Sequence, residues 1–262
     1  MKLTSMYLVM GLTLLFSCKE KGSIKKQVKR DLLFEDNFDK ITLSNKTWNY
    51  DLGDGCPNLC GWGNNERQIY TKENVAVKNG KLVIKATQKD STYYSGKIHT
   101  KDKFEFQYGI VEVKAKLPEG HGLWPAIWML GNDIDTKGWP ACGEIDIMEY
   151  VGKEPQTLYT SLHTPSSYGN TINSKKTSVK NIEDGFHIYK TQWTAEAITF
   201  YIDDRKVYEY APEQKDDKTW PYNKPFYIII NTAIGGNFGG PEVDDSIFPR
   251  DFEVDYIRVY KV

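Results

Sequence analysis

Between residues 32 and 262, apolar and polar side chains alternate over short stretches, each broken by glycine, proline or paired aspartates. The alternation predicts strands at residues 32–38, 81–87, 108–117, 123–130, 145–151, 158–162, 187–193, 197–202, 206–210, 226–231 and 252–262. Asn79-Gly80 is a hairpin-type turn pair. No stretch carries the 3.6-residue period of an amphipathic helix. About a dozen antiparallel strands in one open sheet would leave an apolar face uncovered, so the pattern predicts an all-β fold of two packed sheets, curved as a jelly-roll sandwich. No repeat of fixed period is present, which excludes a propeller or solenoid.

One strand departs from the alternation. In Gly143-Glu144-Ile145-Asp146-Ile147-Met148-Glu149-Tyr150, Glu144 and Asp146 share a face of an extended chain, while Glu149, five positions on, points to the other. A β-bulge near Ile147 and Met148 would return Glu149 to the face of the first two acids. Two glutamates effectively four positions apart have Cα atoms about 13 Å apart, and leaning side chains bring the carboxyls to roughly 5–6 Å. That spacing suits a retaining glycosidase, in which one carboxylate attacks the anomeric carbon and the other protonates the leaving oxygen. Asp146 beside Glu144 makes simultaneous ionisation costly, so a proton is shared between them. Glu149 then needs a raised pKa to work as an acid. The competing reading is an ordinary strand with a solvated acidic face.

Composition narrows the partners. The 262 residues are 40% hydrophobic and 13% aromatic, with 7 Trp and 17 Tyr, enough for one sizeable core and rich in side chains suited to sugar-binding clefts. A net charge of −1 without a basic stripe excludes a nucleic-acid partner. The glycine pairs at Gly235-Gly236 and Gly239-Gly240 lack the Lys-Ser/Thr of a phosphate loop and read as turns.

Residues 1–17 read as an export signal: Lys2 is followed by an apolar run at 6–16, too short to span a bilayer. The run ends in Leu15-Phe16-Ser17-Cys18, which looks like a bacterial lipobox that leaves Cys18 lipidated. A plain signal peptide with an incidental cysteine is the alternative. Residues 18–31 are polar and lysine-rich and read as a tether, leaving 32–262 as the folded domain. The expected location is the bacterial envelope, lipid-anchored, facing surface or periplasm. Cys56 and Cys60 are close enough to bridge, and Cys142 is left over; a thiol zinc site lacks the paired spacing it needs.

Six ordered segments carry a resemblance. They are Glu144 to Glu149, Gly63-Asn64-Asn65-Glu66-Arg67-Gln68-Ile69-Tyr70-Thr71, Leu123-Trp124-Pro125-Ala126-Ile127-Trp128-Met129-Leu130, Ser161-Leu162-His163-Thr164, Asn231-Thr232-Ala233-Ile234-Gly235-Gly236, and Val254-Asp255-Tyr256-Ile257-Arg258-Val259-Tyr260. Together they make the chain resemble the bacterial laminarinase-like enzymes and mixed-linkage β-glucanases of glycoside hydrolase family 16. The resemblance implies a concanavalin A-like sandwich with a concave substrate groove, and Glu144 as nucleophile, Asp146 as helper and Glu149 as acid/base. It further implies endo-hydrolysis of β-1,3- or mixed-linkage β-1,3-1,4-glucan with retention, by a monomer needing no catalytic cofactor. Asn65, Arg67, His163 (near the acid/base) and Asn231 match groove positions, and Trp124, Trp128 and Trp139 are candidates for stacking on sugars, with core packing as the alternative for each. Where many relatives carry Ser-Gly-Arg-Ile, this chain has Ser95-Gly96-Lys97-Ile98, a point charge in place of a fork. A structural Ca²⁺ is implied at Asn37, Gly80 and Asp255, with backbone carbonyls among the ligands. A glucan-binding protein without chemistry, and the same chemistry on a red-algal galactan, are the rival functions.

Overall fold

The computed structural model describes residues 31–262; the export signal, Cys18 and the tether up to residue 30 lie outside the described residues. Among the described residues seventeen strands form two sheets. The seven-stranded sheet runs in the order Ser174–Ser178, Thr157–His163, Glu144–Tyr150, Leu123–Gly131, Phe226–Ile234, Lys97–His99, Asn49–Tyr50. The ten-stranded sheet runs Arg205–Tyr210, Ile198–Ile202, His187–Trp193, Gly109–Lys116, Arg250–Tyr260, Leu82–Lys89, Thr92–Ser95, Gln68–Tyr70, with Leu32–Asp36 paired to Arg250–Tyr260 and Val75–Val77 to Leu82–Lys89. Pairings are antiparallel except that of Gln68–Tyr70 with Thr92–Ser95.

The predicted sandwich is therefore the observed one, and its core is what the alternation encodes. Ile145, Ile147, Met148, Ile127, Met129, Ile228 and Ile230 of the smaller sheet share one buried cluster with Val111, Val113, Tyr189, Phe200, Val254, Ile257 and Val259 of the larger. Each such side chain contributes about 1.5–3 kcal/mol on burial. Every residue of Phe226–Ile234 is buried, because this strand has the core on one side and groove residues on the other. It also runs three residues past the predicted end at 231, so Asn231 lies inside the strand.

The strands absent from the prediction are short or polar. Lys97–His99 and Gln68–Tyr70 have three residues each, too few to display a period, and Ser174–Ser178 (Ser-Lys-Lys-Thr-Ser) is an edge strand with little apolar content. Among the described residues helix is confined to short turns such as Ile134–Lys137 and Gly236–Gly239. A disulfide joins Cys56 to Cys60, which removes both sulfurs as metal ligands; Cys142 is free and buried.

Candidate active site

The Glu144–Tyr150 strand contains the bulge its sequence calls for. Against Leu123–Gly131, Asp146 pairs with Trp128, Met148 with Ile127 and Glu149 with Ala126, so two steps on one strand oppose one on the other and Ile147 is the extra residue. Ile147 and Met148 both enter the core, and Glu149 emerges beside Asp146. Register then maps the face. Glu144, Asp146 and Glu149 oppose His163, Ser161 and Tyr159 on one side and Leu130, Trp128 and Ala126 on the other. Beyond these, Ala126 opposes Asn231, which opposes Lys97. A row of polar and aromatic side chains thus crosses the strands, as a groove for an extended chain requires.

The carboxylates are held by donors that the sequence places far apart. Trp139 Nε1 donates to Glu144 Oε2 at 2.7 Å, and Trp124 Nε1 to Glu149 Oε1 at 3.1 Å, with Ser161 Oγ donating to Glu149 Oε2 at 3.3 Å. His163 Nε2 lies 3.2 Å from Asp146 Oδ2 and 3.8 Å from Glu144 Oε1, and these three side chains offer atoms within 4.8 Å of one another. Burial pushes Asp146 well above the usual carboxylate range, and the charge of Glu144 and a hydrogen bond to it push further. Burial also raises Glu149 strongly, reinforced by the charge of Asp146 and opposed by His163 and Trp124. Asp146 and Glu149 are 3% and 9% exposed, which rules out a solvated acidic face. Desolvation thus favours the protonated forms of Asp146 and Glu149, the direction that general acid chemistry at this face requires.

A second network lies beyond Trp128. Asn231 Oδ1 accepts from Trp128 Nε1 at 2.8 Å, and Asn231 Nδ2 donates to the Tyr70 hydroxyl at 3.0 Å, which donates to Glu66 Oε2 at 3.1 Å. Gln68 Nε2 also donates to that oxygen, at 2.6 Å. These bonds are the partners a buried mid-strand asparagine needs. Lys97 sits under three rings, with Nζ 4.2 Å from the centroid of Trp62, 5.3 Å from Trp128 and 6.0 Å from Tyr70. It pairs with Asp51 at 3.2 Å; burial works against ionisation of that carboxyl, but His99 and Lys97 outweigh it and hold Asp51 down at about 2.

Other sequence-predicted residues fall elsewhere. Trp124 and Trp128 are half-buried and Trp139 is 46% exposed, so none is a core residue. Trp124 and Trp139 serve the carboxylates directly, whereas Trp128 serves Asn231. Arg67 leaves the network that its neighbours Glu66 and Gln68 make, because strand alternation turns it away; its guanidinium lies 4.8 Å over the Tyr93 ring. Asn65 donates to Asn237 Oδ1 at 2.8 Å, tying its loop to the glycine-rich turn. His163 stands opposite Glu144 in register and is also close enough to Glu149 for its charge to act on that carboxyl. Sequence reading passed over Glu66, Tyr70 and Trp62, although all three lie in or beside the quoted 63–71 segment. It also passed over Tyr168, which is 54% exposed and edge-on to Trp139 at 5.3 Å.

Of the implied calcium residues, Asp255 lies on the larger sheet. Asp255 is the extra residue of a second bulge, where the register jumps from Val254–Ala115 to Tyr256–Lys114. On its other edge, pairing with Leu82–Lys89 ends at Val254–Leu82 and pairing with Leu32–Asp36 begins at Ile257–Asp36, which leaves Asp255 and Tyr256 unpaired on that edge. The Asp255 carboxylate contacts Lys114 at 2.7 Å through Oδ2, and Asn37 Oδ1 accepts from Arg258 at 3.2 Å. A carboxylate and an amide oxygen are hard donors of the kind a calcium ion takes, and both already meet cationic side chains here.

The profile of "Glycosyl hydrolases family 16" matches residues 63–257. A beta-glucanase of Rhodothermus marinus is 37% identical over 271 residues, covering 95% of this chain and 92% of the relative. The crystal structure of a laminarinase from Flavobacterium sp. UMI-01 is 58% identical, superposes with a TM-score of 0.87, and covers 88% of this chain and 100% of that one. The laminarinase catalytic domain of Thermotoga maritima is 36% identical with a TM-score of 0.83, covering 89% and 98%. A profile spanning most of the chain, and relatives of this identity spanning nearly all of it, agree with the bulged acid triad: the chain belongs to glycosyl hydrolase family 16.

Proposed function

We propose that this glycoside hydrolase cleaves β-1,3- or mixed-linkage β-1,3-1,4-glucan internally, with retention of configuration. The observation that carries the reading is the Ile147 bulge, which sets a desolvated Glu149 on the same face as Glu144. A Glu144 oxygen attacks the anomeric carbon while the bond to the leaving oxygen breaks, and Glu149 gives that oxygen its proton. The product is a glycosyl ester on Glu144 and a carboxylate on Glu149. Water then loses a proton to Glu149 as its oxygen attacks the same carbon, and Glu144 departs as a carboxylate. Trp139 and Trp124 orient the two carboxyls, and the proton Asp146 shares with Glu144 adjusts the nucleophile's charge between the steps. Trp62, Trp128 and Lys97 line the groove away from the cleaved bond and favour an extended sugar chain over a small ligand.

The test sets laminarin, lichenan, barley glucan and agarose side by side, with linkage analysis of products, for wild type and Glu144→Gln. Glu144→Gln is expected to lose about four orders of magnitude in release of reducing ends, the scale on which loss of a nucleophile acts, while still binding glucan. A wild type that binds but cuts none of the glucans sinks the enzyme reading, and agarose as the preferred substrate moves it to a galactan.

Two further proposals concern placement. Cys18 carries a lipid that anchors a monomer to the bacterial envelope; palmitate labelling lost in Cys18→Ser tests the anchor. Asn37, Gly80 and Asp255 hold a calcium ion whose role is to brace the outer sheet.

A further inference from the structure

His163 has an assignment that the acid triad alone does not give it. Its Nδ1 accepts the main-chain N–H of Gly169 at 3.1 Å. A ring nitrogen that accepts a hydrogen bond carries no proton, so the neutral ring keeps its single proton on Nε2. The loop that supplies this N–H is itself pinned: Thr164 and Ser167 exchange main-chain bonds, Ser166 N donates to Lys218 O at 3.0 Å, and Thr171 Oγ1 donates to Leu162 O at 3.0 Å. The ring lies 5.7 Å from that of Trp139, and the Tyr222 hydroxyl reaches the carbonyls of both His163 and Glu144 at 3.1 and 3.3 Å. Nε2 faces Asp146 and Glu144, with Glu149 the next charge in the same row. Asp146 Oδ2, buried and 3.2 Å away, has no hydrogen-bond partner.

We propose that His163 is a positioning residue, locked by the Gly169 amide as the Nε2–H tautomer, whose N–H follows the negative charge between Glu144 and Asp146. In the free enzyme that charge lies on Glu144, within a small ring rotation of Nε2. Once Glu144 is esterified, Asp146 Oδ2, already the nearer oxygen at 3.2 Å against 3.8 Å, takes the N–H. A second proton, on Nδ1, would break the Gly169 bond, so the ring acts as a donor and not as a proton carrier. The proton traffic of the reaction stays within the three acids.

This inference rests on the retaining glucanase reading for its kinetics but not for its tautomer, and the experiment separates the two. ¹⁵N spectra of the wild-type imidazole are expected to show the proton on Nε2 and a bare Nδ1, whether or not any glucan is cut. On laminarin, His163→Ala is expected to lose about 10–100-fold in kcat, the worth of one hydrogen bond to a charged group, with KM little changed. His163→Gln, whose amide N–H stands near the Nε2 position, is expected to recover most of that loss with the pH profile of wild type. A proton on Nδ1, a Gln variant no better than Ala, or a pH limb that vanishes with the histidine would each overturn the proposal. Thermal melts identify a variant that fails to fold; the spectrum and the Gln variant decide the matter if Ala does so.

Discussion

Two strands of this protein carry the same device and use it to opposite ends. In Glu144–Tyr150 the extra residue is Ile147, buried at 2% exposure, and the bulge delivers Glu149 to a dry face already holding Glu144 and Asp146. In Arg250–Tyr260 the extra residue is Asp255, whose side chain is 34% exposed and meets Lys114. One bulge gathers like charges where water cannot screen them, and the outcome is raised pKa values at Asp146 and Glu149. The other turns a carboxylate toward a lysine at the surface, and the outcome is an ordinary ion pair. A bulge re-aims a side chain; burial decides what chemistry the side chain then has.

The largest effect is expected where that burial is chemically spent. Glu149→Gln keeps shape and removes the proton, and should cost about 10²–10⁴-fold in kcat on laminarin, the usual contribution of general acid catalysis. The same variant reads out the strain of the site. Because burial raises Glu149's pKa in the folded state, the native protein binds this proton more tightly than the unfolded chain does. That contribution to stability is complete below the unfolded pKa and is lost as pH rises toward the folded one. Melting curves should show Glu149→Gln overtaking wild type in Tm as pH rises from 4 to 8; a constant gap would mean that the carboxyl is not desolvated.

Deleting Ile147 is the sharper test of the comparison. Without it, Glu144, Asp146 and Glu149 stand two positions apart on a regular strand and keep one face. The deletion should therefore cost about 2–5 kcal/mol of stability through lost core packing, yet retain measurable endo-hydrolysis, unlike either glutamine variant. A folded deletion protein with no activity would show that the bulge sets carboxyl spacing as well as facing. The smallest effect is expected at the outer bulge. Chelation by EDTA should lower Tm by a few degrees, as loss of a bound cation worth about 1 kcal/mol would, with kcat on laminarin unchanged once the protein is folded. Asp255→Asn should blunt the response to calcium, and a Tm indifferent to calcium in wild type would remove the proposed ion.

Legibility differed along the groove for a physical reason. Glu144, Asp146 and Glu149 lie within six residues, so their shared face followed from strand parity and one bulge. Trp139 reaches Glu144 from the same neighbourhood and was also within reach. The network of Glu66, Tyr70, Asn231 and Trp128 joins segments up to 161 positions apart, and no local period links them. Arg67 shows the complementary case, since a motif places a residue in a segment without saying which side of the strand it takes. His163 was visible as a candidate, but its tautomer comes from the main chain of Gly169, a residue whose own side chain carries no signal.

Alternation of apolar side chains, with glycine and proline between the runs, was sufficient for an antiparallel sandwich, and three acids with one broken interval were sufficient for a retaining glycosidase strand. Those features are local, set by the two-residue period of an extended chain. Only the packed sheets decided which of the acids are desolvated, which indole meets which carboxyl, and how the histidine ring is turned. Those properties depend on exclusion of water and on contacts between distant segments, and neither exists until the chain is folded.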